Sequence, residues 1–233
     1  MRTITIHQPN FLPWIGFFHK IFQADEIIFL TNVEFSSTNY QNRCYIYGTN
    51  NEPSRLTVPV KKKPNLLSQK LIDSSGPNRK WKKNHLTQIH DVYKHAPYYT
   101  EIFPLIADIY SQEHTSLVTL NSALIKMILD YLGYKGNMST DVAVTDICDK
   151  TERLVQLVKQ AEGTTYLSGS SGRNYLKIDL FEENAIEVQF QNFNHPIYTA
   201  KHGESNLLKL SMLDWIMYEA PDSIAVFLEQ GKE

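Results

Sequence analysis

Short apolar runs alternate with helical stripes at both ends of the chain, and a stretch of purely helical spacing lies between them. Residues 3–6 alternate with β-branched side chains and predict a first strand. Gln8-Pro9-Asn10 ends it, because Pro9 has no N–H to give to a ladder. After Pro13, Trp14, Phe17, Phe18 and Ile21 fall at i, i+3, i+4 and i+7, the stripe of an amphipathic helix. Ile27-Ile28-Phe29-Leu30 then reads as a buried strand, so the first thirty residues predict a βαβ unit. Tyr45-Ile46-Tyr47 and Leu56 to Val60 are strand candidates on either side of the turn-rich Gly48-Thr49-Asn50-Asn51, which predicts a hairpin. Residues 64–77 read as loop around a short strand, Lys70 to Ile72.

Three helices are expected next. Trp81, His85, Ile89 and Tyr93 mark the first, which Pro97 breaks. Ile102, Leu105, Ile106 and Ile109 mark the second, and Leu117, Leu120, Leu124 and Ile128 the third, with Gly133 at its C-cap. Strand–helix alternation then returns: Val142-Ala143-Val144 as a strand, a capping box at Asp149-Lys150-Thr151-Glu152, and a helix carrying Leu154 to Val158. A strand over 164–167, a short helix near Leu180, a strand through Ile186, Val188 and Phe190, and two final helices divided by Pro221 complete the reading, with Ser211 and Asp214 as cap candidates. The pattern predicts an α/β fold with a mostly parallel sheet, a small β-hairpin and a helical insertion. The expected core is 1–77 with 135–233, and the insertion 78–134.

Composition narrows the function classes. With 42% hydrophobic and 21% charged residues, 233 positions suffice for a real core. A net charge of −2 gives no global basic field for holding nucleic acid. The local run Lys61-Lys62-Lys63, followed by Arg79, Lys80, Lys82 and Lys83, is either solvated surface or a contact patch. Two cysteines, Cys44 and Cys148, make neither a disulfide framework nor a zinc motif, and the eight histidines lack metal-ligand spacing, so no metal is expected. No run reaches the roughly 18 apolar residues of a membrane span, and the opening residues lack the apolar region of a signal peptide. The expected compartment is the cytoplasm.

Four segments carry candidate chemistry. In His7-Gln8-Pro9-Asn10 through Lys20, His7 sits at the carboxyl end of a strand, the edge that faces the ligand crevice in parallel sheets, and the next helix points free N–H groups the same way. His7 is there either a chemical group or a strand cap, and Trp14 either a ligand wall or core. Tyr166-Leu167-Ser168-Gly169-Ser170-Ser171-Gly172-Arg173 also follows a strand; its small residues let backbone N–H groups approach a ligand, and Arg173 suits a phosphate or carboxylate. Asn42-Arg43, flanked by Tyr40 and Tyr45, fits a ribose-phosphate or an internal ion pair. His195, in Phe193-Asn194-His195-Pro196-Ile197-Tyr198, is either a base or a hydrogen-bonding rim residue. There is no Walker loop, nucleophile elbow or dinucleotide fingerprint.

The chain resembles the WbqC-like family along almost its whole length. The resemblance rests on His7 through Lys20 with Ala24-Asp25, then Asn42-Arg43, Leu56 to Val60, Trp81 and Ala96-Pro97-Tyr98. Later come Lys150-Thr151-Glu152, Tyr166 to Gly169, Tyr175-Leu176, His195 to Tyr198 and Leu210 to Asp214. The resemblance implies a role in O-antigen or other surface-glycan synthesis: acyl or aminoacyl transfer that forms an amide on an amino sugar nucleotide. A fainter resemblance to nucleotidylyltransferase and pantothenate-synthetase enzymes implies a HUP-like sheet, although the two histidines of their His-x-Gly-His motif are missing around Gly16.

On that reading His7 is the expected base and His195 the next candidate. Ser168, Gly169 and Ser170 would hold phosphate or oxyanion, Arg43 and Arg173 a diphosphate, and Trp14, Tyr98 and Tyr175 would wall the ligand. Gln8, Asn10, Lys20, Asn42 and Tyr198 complete the expected substrate contacts. The donor stays open between a nucleotide-activated acyl group, an acyl thioester and an aminoacyl donor. Nucleic acid enters only as aminoacyl-tRNA. A non-catalytic sugar-nucleotide-binding or assembly role is the alternative.

Overall fold

The computed structural model describes residues 1–48, 52–141, 149–200, 203–205 and 210–231. Five parallel strands form its central sheet: β1 (Thr3–His7), β2 (Glu26–Phe29), β5 (Asn137–Thr140), β6 (Thr165–Ser168) and β7 (Glu187–Phe190), in the order β5-β2-β1-β6-β7. Counted along the chain, the sheet strands lie 3-2-1-4-5, the order of doubly wound folds. The order reverses between β1 and β6, so those two neighbours leave the sheet for opposite sides, and a crevice opens at their carboxyl ends.

The alternation within each strand sorts the core onto both faces. Ile27 and Phe29 of β2 join one buried cluster, while Ile28 between them joins the other with Ile4 and Ile6 of β1, as period-2 geometry demands. The larger cluster lies under α1 (Ile15–Phe22), α2 (Trp81–Tyr93), α3 (Tyr99–Ser111), α4 (Leu117–Tyr131), α7 (Met212–Tyr218) and α8 (Pro221–Glu229). It also takes Cys44, Ile46 and Leu56 from the hairpin of β3 (Arg43–Tyr47) and β4 (Pro53–Thr57). The smaller cluster packs α5 (Lys150–Gln160) and α6 (Ile178–Glu182) on the opposite face. A second short hairpin joins β8 (Tyr198–Ala200) to β9 (Gly203–Ser205).

The predicted helices between the hairpin and β5 form, with the expected stripes buried except in α3, where Leu105 is exposed and Tyr110 is buried with Ile102, Ile106 and Ile109; Gly133 ends α4 with a φ of +73°. The Asp149 carboxylate caps α5 by accepting from the Thr151 and Glu152 amides, and Ser211 caps α7 through the Leu213 amide. Asp214 is no cap: it is buried inside α7, where it accepts from the Tyr93 hydroxyl at 2.8 Å and the Tyr198 hydroxyl at 2.6 Å. Lys70 to Ile72 is not a strand either, because its backbone makes only single bridges, Leu71 to Ser116 and Ile72 to Val60. The expected strand at Val142–Val144 lies outside the described residues; the third sheet strand is the polar Asn137–Thr140 just before it.

Candidate active site at the sheet's switch point

The loop from β1 to α1 is pinned from three sides. The Asn121 side chain on α4 donates to the Pro9 carbonyl at 2.8 Å and the Gln41 carbonyl at 2.7 Å. The Phe11 amide donates to the Tyr40 carbonyl, and the Met212 amide to the Pro13 carbonyl. Each contact satisfies a polar group that the irregular loop would otherwise bury unpaired. Leu12 takes a positive φ of +40° within this frame. The loop therefore delivers His7 and α1 to fixed positions at the sheet's edge.

The loop after β6 is equally local in origin. Gly169 leads into a 3-10 turn over Ser170–Asn174, and the Gln191 amide after β7 donates to the Ser168 carbonyl at 2.8 Å. Gly172 is required here: a Cβ on it would lie 2.1 Å from the Ser168 hydroxyl oxygen.

Together these loops enclose a cavity of about 420 Å³. Its walls are His7 and Ile6 of β1, Trp14, Gly16, Phe17 and Lys20 of the first loop and helix, Tyr166 and Ser168 of β6, Gly169 to Ser171, Tyr175, and Gln191 to Phe193. Trp14 is 38% exposed and meets Phe193 edge-on at 5.4 Å, so it forms the rim rather than core. Its indole lies across Gly16, where a Cβ would come within 2.3 Å of the ring.

The electrostatics are set by burial. His7 contacts the Gln8 carbonyl through Nδ1 at 2.9 Å; a carbonyl only accepts, so Nδ1 carries the proton and Nε2 keeps its lone pair. Burial, with a smaller contribution from the neighbouring Lys20 charge, pushes the His7 pKa down to about 3, so the ring is neutral near pH 7. Lys20 is only 4% exposed, and its ammonium nitrogen reaches the Ile6 carbonyl at 3.3 Å. Burial lowers its pKa to about 7. Among the described residues the ion pairs are Arg2–Glu26, Lys126–Asp130 and Lys177–Asp149, so no carboxylate lies within 4 Å of Lys20. His19 points its Nδ1 toward the side-chain Nε2 of Gln191 at 3.1 Å, and burial lowers its pKa as well. No group of three or more His, Cys, Asp or Glu placed to hold a metal occurs among the described residues.

Of the residues expected from sequence, His7, Trp14, Lys20, Ser168, Gly169, Ser170 and Tyr175 line this cavity. The others do not line it. Arg43 turns back to the Thr38 carbonyl and the Tyr40 ring. Arg173 is exposed and lays its guanidinium 4.2 Å over the Phe190 ring. Gln8 accepts from the Gln41 amide, Asn42 donates to the Val58 carbonyl, and Asn10 borders a separate small recess with Tyr40 and Cys44. Tyr98 precedes α3 at its N-cap position, packed against the large core, and Tyr198 is buried on Asp214. The His195 Nδ1 bonds the Pro196 carbonyl at 2.8 Å, with its ring 6.2 Å from Phe193. Sequence reasoning missed Gln191 and Asn192 and gave no role to Phe193, which opens its fourth segment, although all three follow β7 at the same carboxyl edge that singled out the other two loops.

Fold and cavity define a parallel α/β protein with a cavity at its switch point, walled by aromatic rings and small polar residues and holding a neutral imidazole beside a buried amine. The chain belongs to the WbqC-like protein family, whose model matches residues 8–226. It is similar to the uncharacterized protein Rv1507c of Mycobacterium tuberculosis, with 34% identity over 197 residues, covering 83% of this chain and 84% of that one. No solved structure matches the chain. Among the described residues no helix is long and apolar enough to cross a membrane.

Proposed function

We propose that this protein is a cytoplasmic enzyme of surface-glycan synthesis that binds an amino sugar nucleotide in the switch-point crevice and converts its amine to an amide. The observation that carries the reading is the shared cavity of His7, Lys20 and the Ser168 to Ser171 turn, ringed by Trp14, Tyr175 and Phe193. Aromatic faces suit a sugar or base, and a small-residue turn suits a phosphate or a developing oxyanion. Family membership supports the glycan context through the association of WbqC-like proteins with surface-sugar synthesis.

In such a reaction the sugar amine attacks the acyl carbon, a C–N bond forms, and the bond to the donor's leaving group breaks. His7 offers Nε2 as an acceptor that orients the amine N–H. Its lowered pKa makes it a poor resting place for the proton, which passes on to the leaving group. The same depression favours the second reading, a sugar-nucleotide-binding protein without turnover, because a strong base near neutrality is what amide formation would use best. The deciding experiment incubates the protein with UDP-, GDP- and dTDP-linked amino sugars and either acetyl-CoA, an amino acid with ATP, or charged tRNA. Mass spectrometry reads the gain of an acyl or aminoacyl group. A product lost in His7→Asn supports the enzyme; binding with no product from any pair supports the second reading.

A further inference from the structure

A buried ammonium without a counter-ion costs several kcal/mol, and proteins relieve that cost by neutralising the group, by ringing it with carbonyl oxygens as the Lys61, Lys62 and Pro64 carbonyls do for Lys70, or by supplying an anion. Lys20 sits in this position. It is 4% exposed, lines the cavity, and has the Ile6 carbonyl at 3.3 Å as its recorded hydrogen-bond partner. Across the cavity lie Ser168, Gly169, Ser170 and Ser171, a turn that offers hydroxyls and backbone rather than a carboxylate. No carboxylate among the described residues pairs with it, so a ligand's anion can supply the countercharge. We propose that Lys20 is the seat of the diphosphate of a nucleoside diphosphate sugar, and that filling the cavity draws one proton from solvent onto its amine. This rests on reading the cavity as the sugar-nucleotide site.

The neighbours leave Lys20 as the group that titrates. From β1, His7 is neutral above about pH 3. From α1 itself, His19 has its pKa lowered by burial, and from β6 the Tyr166 phenol is raised by burial, so neither gains a proton near pH 7 to 8. Tyr175 stands on the rim, and Gln191 beyond β7 is neutral. Lys20, lowered to about 7, is charged at pH 6 and mostly neutral at pH 8. An anion beside it favours the charged form, so the difference in protons held by bound and free protein grows as pH rises from 6 through 7 to 8. The pyrophosphate diester of a nucleotide sugar has no proton of its own to exchange in this range, which makes the count unambiguous.

The test is calorimetry with UDP-, GDP- and dTDP-glucose in HEPES and in Tris, whose ionisation heats differ. Proton uptake should rise from near zero at pH 6 to near one at pH 8, and affinity should fall about tenfold over the same interval. Lys20→Met should weaken binding about tenfold or more at pH 6 and take up no proton at either pH. Should that variant unfold, the proton count of the unaltered chain decides alone. An uptake near zero at pH 8, the same uptake in Lys20→Met, or no binding of any of the three sugars at millimolar concentration overturns the proposal. Proton-coupled binding without amide formation ends the enzymatic reading and leaves this one standing. A substrate that is turned over but binds without proton uptake does the reverse.

Discussion

His85 should make this protein acid-sensitive in a way that one substitution removes. The ring stands on the buried face of α2, 4% exposed, with Nε2 3.1 Å from the Thr57 carbonyl and Nδ1 3.1 Å from the Tyr110 hydroxyl. The carbonyl can only accept, so Nε2 holds the proton and Nδ1 accepts from Tyr110. Burial pushes the pKa from 6.5 down to about 4. The sign follows from proton counts: below pH 6.5 the unfolded chain binds a proton that the folded chain refuses, so stability present above 6.5 is lost as pH falls toward 4. At pH 5.5 the unfolded imidazole is about ten parts charged to one neutral while the folded ring stays neutral, a loss of about 1.4 kcal/mol against pH 7.5. Urea titrations of the unaltered protein and His85→Gln at both pH values read this out. The variant should start about 1–3 kcal/mol less stable through its disturbed hydrogen bonds. Its further decline to pH 5.5 should be shallower by about 1.4 kcal/mol. His7, His19 and His195, all with lowered pKa, steepen both declines alike and cancel in the comparison. Parallel declines would refute the placement of a neutral, buried His85.

Substitutions at Gly16, Gly172 and Asp214 probe the cavity and its support, two of them against a partner change. Gly16→Ala puts a methyl group where the Trp14 ring now lies, so the half-exposed indole must swing off the rim. The helical gain of roughly 0.5–1 kcal/mol should offset the lost ring contact, leaving the melting temperature nearly unchanged while tryptophan fluorescence shifts and nucleotide-sugar affinity drops. A drop of more than about 3 kcal/mol in stability would show that the ring cannot move. Gly172→Ala collides with the Ser168 hydroxyl and should cost about 1–3 kcal/mol, most of it recovered on adding Ser168→Gly; additive losses in denaturant titrations would place the strain elsewhere. Asp214→Ala removes the buried acceptor that two tyrosine hydroxyls share and should destabilise by about 2–6 kcal/mol, roughly 1–3 for each hydrogen bond lost, with Tyr198→Phe costing much less; equal losses on chemical denaturation would contradict that division.

The fold was legible wherever apolar period and local chemistry agreed. β1, α1 and β2 read directly, since β-branched alternation, a stripe at i, i+3, i+4, i+7 and a short apolar run each have one packing solution. The strand at Asn137–Thr140 escaped for a physical reason. It pairs with β2 at the sheet's edge and is at most half-buried, so nothing selects apolar residues there, and its only signature is backbone pairing. Lys70 misled in the opposite sense. It lies in an extended segment beside apolar residues, but its ammonium donates to the Lys61, Lys62 and Pro64 carbonyls, and the segment is organised by that side chain rather than by a ladder.

The candidate site shows which parts of a crevice a sequence can disclose. His7 and Ser168 were placed by topology: each ends a strand of a parallel sheet, and the strands prove to be neighbours at the switch point. Arg43 and Arg173 were placed only along the chain. A long flexible side chain can reach in many directions, and in each case an aromatic face nearby captures the guanidinium, Tyr40 for one and Phe190 for the other. Lys20 could have been weighed more heavily from the sequence. Gly16 and Lys20 are four residues apart and share a helix face, next to the stripe of Phe17 and Ile21. Every residue of α1 is buried, so the helix has no solvent side to which a lysine could turn. A lysine inside an eight-residue helix with that many apolar neighbours, met by the Ile6 carbonyl at 3.3 Å where Lys70 has three carbonyls, is costly to keep buried. Its cost is the signal, and it points to the end of the sheet where a ligand's charge can answer it.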